Sequence, residues 1–94
     1  MKMKRYHNVF DALEDDPAVA ENLKIRAQLM NALTQYIEKE KLTQVEAAKL
    51  FEVNQPRISD LVRGKIERFT IDMLVNMLAR AGKHLNVKVS TKAA

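Results

Sequence analysis

Between residues 43 and 68 the side chains suit hydrogen bonding to bases and phosphates better than they suit catalysis. Gln44 and Gln55 stand eleven residues apart. Asn54, Pro56, Arg57, Ser59, Asp60 and Arg63 surround or follow the second glutamine, and Lys65 and Arg68 come after them. A glutamine amide can bond adenine through two hydrogen bonds, an arginine can do the same to guanine, and a carboxylate can accept from cytosine. Cations beyond such a group suit phosphate oxygens, which position a protein without specifying sequence. Catalytic alternatives lack parts. There is no cysteine, the two histidines (His7 and His84) are far apart, and two glycines cannot build a phosphate-cradling loop. No Ser-His-Asp set or metal-ligand spacing is present, so neither an enzyme nor a metal or cofactor is expected.

Short helices must hold these groups. Thr43 and Glu46 form a capping-box pair, predicting a helix over 44–51. Glu52 and Val53 leave room only for a tight turn. Asn54 caps the next helix, Pro56 fits its first turn, and Gly64 suits the left-handed residue past its end. Two short helices so joined form a helix-turn-helix, with its motif at 43–64. Ala47 and Ala48 allow close crossing, and Phe51, Val53, Ile58 and Leu61 close the small core. Ile58, Leu61 and Val62 are expected inward; Pro56, Asp60 and Arg63 outward, flanked by Arg57 and Ser59. Gln55 projects from the tip that such helices present to base edges. The free N–H groups at the start of the Gln44 helix suit a phosphate.

The rest of the chain reads as support. Residues 1–7 form a basic arm, and 8–14 a short helix with Val9, Phe10 and Leu13 on one face. Asp15, Asp16 and Pro17 start a long helix with a stripe of Ile25, Leu29, Ala32, Leu33, Tyr36 and Ile37. Thr70 caps a last helix over 71–81, with Leu74, Met77 and Leu78 inward, stopped by Gly82. Over 84–90, Leu85, Val87 and Val89 alternate with polar residues, as in a half-buried strand. Nothing else alternates, so this strand is expected to pair with its own copy and dimerise the protein. A frayed tail with dimerisation through the last helix is the alternative. One domain spans 1–94, with a helical bundle over 18–81.

Charge adds two surfaces. Lysine and arginine number 16 against 12 acids, a net charge of +4. Residues 11–21 hold five acids and no base, whereas 57–68 hold four bases and two acids. The basic segment fits a polyanion and the acidic one a basic protein, with two plain solvated faces as the other reading. Apolar runs of about three residues are too short for a membrane span or a signal peptide. The absence of cysteine permits the cytosol, and a cytoplasmic protein is expected.

The run Leu42-Thr43-Gln44, Ala47-Ala48, Phe51, Val53-Asn54-Gln55-Pro56-Arg57-Ile58-Ser59, Leu61 and Arg63-Gly64-Lys65 resembles the helix-turn-helix of phage Cro/repressor-like (XRE) regulators. The resemblance implies a lambda-repressor-like helical bundle, mainly α with the short C-terminal β-strand read from the alternation above, and a Gln44–Gln55 pair cooperating on one adenine. The flanking segments, Asn8 to Leu13, Phe69 to Leu74 and Ala81-Gly82-Lys83, resemble HigA-like antitoxins. That implies a homodimeric repressor on a palindromic double-stranded DNA operator, partnered by a RelE-fold toxin. Val9, Phe10, Leu13, Asp15 and Asp16 are then candidates for toxin contact. A stand-alone phage-type regulator, or an interaction module without DNA binding, is the alternative. The chain departs from the pattern at Glu52, where relatives usually carry glycine. A left-handed glutamate there costs about 1 kcal/mol; a right-handed one would cross the helices differently.

Overall fold

Asp16 opens the first helix by accepting a hydrogen bond from the Ala18 N–H at 2.9 Å. In the computed structural model, which describes residues 16–91, this helix is α1, Pro17–Lys39. Pro17 occupies its first turn, where the missing N–H has no intrahelical role. Leu29, Met30, Leu33 and Ile37 form its buried stripe. Met30 lies three residues before Leu33 and shares its face. Ala32, expected in the stripe, is exposed because adjacent residues sit about 100° apart around a helix.

Helix α2 (Gln44–Phe51) has the complete capping box. Thr43 Oγ1 accepts from the Glu46 N–H at 3.1 Å, and Glu46 Oε1 accepts from the Thr43 N–H at 2.8 Å. Asn54 Oδ1 accepts from the Arg57 N–H at 2.9 Å and starts α3 (Gln55–Val62). A single 3-10 turn, Ile66–Arg68, follows, and Thr70 caps α4 (Ile71–Arg80) through the Met73 N–H at 3.1 Å.

All four α-helices among the described residues end in the same way. A residue with positive φ stands past the last turn: Lys41 (55°), Glu52 (59°), Gly64 (73°) and Gly82 (81°). The following N–H then reaches back five residues. Leu42 bonds the Ile37 carbonyl, Val53 that of Ala48, Lys65 that of Asp60 and Lys83 that of Leu78, each at 3.0 Å. This closure satisfies carbonyls that a helix end leaves free. Glycine supplies it without strain at two ends, and a lysine and a glutamate are forced into it at the other two.

Helix α1 packs on α4, on α3 and on the 3-10 turn, while α2 packs on α3 and α4. Leu33, Phe51, Ile58, Leu61, Phe69, Leu74 and Met77 are almost completely buried where these elements meet. Val62, expected inward, is 40% exposed. Ile58 and Leu61 already fill the α3 contact, and Val62 falls on its margin.

The strand expected over 84–90 is not formed: residues 83–91 carry no regular secondary structure, and no strand occurs among the described residues. A strand exists only when its N–H and C=O groups meet a neighbour's, and no second segment among the described residues pairs with this one. Of the three apolar residues, only Leu85 is covered. Leu85 is half-buried against the core, whereas Val87 and Val89 are 79% and 91% exposed. Lys83 Nζ lies 5.0 Å from the centre of the Tyr36 ring, fastening the start of the tail to α1. The expected arm at 1–7 and helix at 8–14 lie outside the described residues.

Candidate nucleic-acid interface

The polar residues of α3 gather on the side away from Ile58 and Leu61. Gln55, Pro56 and Arg63 are exposed, and Ser59 and Asp60 are half-buried. Gln55 opens α3 immediately after its cap, so its side chain projects from the helix tip. Asn54 is exposed, but its Oδ1 is occupied by the cap, leaving the amide NH2 as a donor. Gln44 holds the equivalent first position of α2 and is half-buried.

The turn between α2 and α3 sets how the two glutamine-bearing ends are presented. Glu52 adopts φ 59° and ψ 47°, the left-handed conformation. The crossing that Gly usually permits is therefore reached here with a side chain in place. That side chain pairs with Arg80 on α4, Nε to Oε1 at 3.4 Å. Both partners are more than half exposed, so the pair contributes at most about 1 kcal/mol.

Three of the expected contact residues are joined to one another. One Arg57 nitrogen donates to the Arg68 carbonyl at 3.0 Å, and its guanidinium carbon lies 5.6 Å from the centre of the Phe69 ring. Arg68 in turn approaches Asp60 Oδ2 at 3.4 Å. The Asp60 side chain is only 17% exposed, whereas that of Arg68 is 54% exposed. The carboxylate is thus overlaid by a cation that still reaches solvent. Lys65 is half-buried at the start of the 3-10 turn.

Arg26 belongs to the same region and carries no signal in the sequence pattern. It donates to the carbonyls of Ile66 at 3.0 Å and Phe69 at 3.2 Å, and its Nε donates to Asn22 Oδ1 at 2.6 Å. Its carbonyl partners lie forty or more positions away, beyond any local periodicity. Of the residues considered for toxin contact, Val9, Phe10, Leu13 and Asp15 lie outside the described residues, and Asp16 is the exposed cap of α1.

A family model described as a helix-turn-helix domain matches residues 12–90. The chain belongs to that family. The helix-turn-helix chain is also similar to a solved structure assigned by name to the XRE family of transcriptional regulators. The TM-score is 0.71 and the sequences are 29% identical, over 78% of this chain and 82% of the other. No match was found among curated protein sequences. In this helix-turn-helix protein, no helix among the described residues is long and apolar enough to cross a membrane.

Proposed function

We propose that this chain is a sequence-specific DNA-binding transcriptional repressor. The observation that carries the reading is the α2–turn–α3 unit. Its left-handed Glu52 turn and two capped helix starts leave Gln55, Ser59 and Arg63 on an open, polar side of α3. In this reading α3 enters the major groove, with Gln55 and Arg63 meeting base edges and Ser59 a base or phosphate. Gln44 supports Gln55, Asn54 and Pro56 border the contact, and Lys65 and Arg68 meet phosphates. Similarity to a chain named as an XRE-family regulator supports it. Selection of duplexes from a randomised library by the full-length protein tests it. One enriched sequence is expected; uniform retention of all duplexes refutes sequence-specific binding.

The finer reading is a cytoplasmic antitoxin that represses its own operon and neutralises a RelE-fold toxin. Its support is the resemblance of the flanking segments and the five acids of residues 11–21, which suit a basic partner. A second copy completes the reading: residues 84–90 pair antiparallel across a two-fold axis. The exposed Val87 and Val89, continuing the line of half-buried Leu85, support this arrangement. Two recognition helices would then stand about 34–36 Å apart on a palindromic site. Co-expression with the product of the adjacent reading frame tests the antitoxin role. A stable complex that abolishes messenger cleavage is expected; no complex leaves a stand-alone regulator.

A further inference from the structure

The stretch Ile66 to Phe69 connects the recognition helix to α4, and arginine side chains hold its carbonyls from two sides. From α1, Arg26 takes the Ile66 and Phe69 carbonyls; from α3, Arg57 takes that of Arg68. The Arg57 guanidinium also lies near the face of Phe69, which is 1% exposed and anchored in the core. Arg68 closes the loop by returning to Asp60, one turn along α3 from Arg57.

Resting on the DNA-binding reading above, we propose that Arg57 and Arg26 are positioning residues for base recognition and make no DNA contact. Arg57 is half-buried, and its cation is committed to a carbonyl and an aromatic ring. A swing outward to a phosphate would break the carbonyl bond and uncover the ring. A guanidinium is suited to this bridging, because a flat fork can donate from one edge while its face covers an aromatic ring. Arg26 holds the same stretch from α1 with bonds of the same kind. Arg57 fixes α3, and Arg26 fixes α1, against the stretch that follows Lys65 and carries Arg68. They thereby set where the base-reading tip lies when those cations rest on phosphates. Discrimination depends on that register, because base contacts are short and directional, whereas the attraction to phosphates is diffuse.

The test uses the full-length chain, duplex selection and the salt dependence of binding to the selected site and to a random duplex. Arg57→Ala, Arg57→Lys and Arg26→Gln are each compared with the wild type. The expected result is a loss of about tenfold or more in discrimination, spread over several base pairs and shared by Arg57 and Arg26 variants. The slope of log affinity against log salt stays at the wild-type value. Arg57→Lys keeps the charge without the fork and is not expected to restore discrimination. A slope lower by about one unit in Arg57→Ala alone would identify a phosphate contact and overturn the proposal. Loss confined to one base pair in the Arg57 variants would make Arg57 a base reader, with the same consequence. A lowered melting temperature with discrimination intact would reduce both arginines to plain structural roles. If the wild type itself selects no sequence, the DNA-binding reading fails and this inference with it.

Discussion

Arg80 Nε lies 3.4 Å from Glu52 Oε1, so the last turn of α4 is tied to the left-handed residue that ends α2. One side chain thus carries two opposed contributions. Its backbone is strained by about 1 kcal/mol relative to a right-handed residue, and its carboxylate recovers at most about 1 kcal/mol through the exposed ion pair.

Glu52→Gly relieves the strain and removes the pair together. The net gain is expected between about 0 and 1 kcal/mol. In an Arg80→Gln background, where the pair is already absent, the same change should give the full gain of about 1 kcal/mol. For a domain of this size that raises the melting temperature by several degrees, roughly 4–8 °C. Thermal unfolding of the four proteins in the cycle measures it. A lower melting temperature for Glu52→Gly in both backgrounds would contradict the left-handed turn.

Gln55→Ala should cost about 1–3 kcal/mol on the selected DNA site and little on random duplex, because the amide reads a base edge and makes no general charge contact. Titration against both duplexes checks this. Equal weakening on the two would remove Gln55 from sequence reading.

Replacing Lys65 and Arg68 by Ala should weaken all duplexes alike. The salt slope should fall by about one unit for each phosphate that the variant no longer neutralises. Arg68→Ala also leaves Asp60 without its partner, so the cost should exceed that of Lys65→Ala. An unchanged slope in the double variant would take both cations out of the interface.

Truncation after Lys83 removes Leu85, Val87 and Val89 but keeps the Lys83–Leu78 closure of α4 and the Lys83 contact with Tyr36. A folded monomer with much weaker binding to a two-half-site operator, and nearly unchanged binding to a single half-site, is expected. Sedimentation decides the assembly. A truncated chain that dimerises as tightly as the full-length protein would move the interface to α4 or elsewhere.

The sequence by itself determined the helix starts, because a capping side chain and the N–H it accepts from lie two or three residues apart. Asp16, Thr43, Asn54 and Thr70 each cap the helix their position predicts. It also determined the helix-turn-helix and the buried Leu74, Met77 and Leu78, since helical periodicity is a local property. The tertiary structure decided what depends on distant partners. The Glu52 turn could take either hand until α2 and α3 packed, and Lys41 gave no sign of its left-handed state. Arg57 looked like one more cation in a basic segment until the Arg68 carbonyl and Phe69 ring came within its reach. Arg26 was indistinguishable from other charged residues on α1. The alternation over 84–90 records a side-chain pattern, but a strand also needs backbone partners, and no segment among the described residues supplies them. Charge and periodicity can be read along one dimension, whereas the partners of a guanidinium or a strand edge are chosen only when the chain has folded.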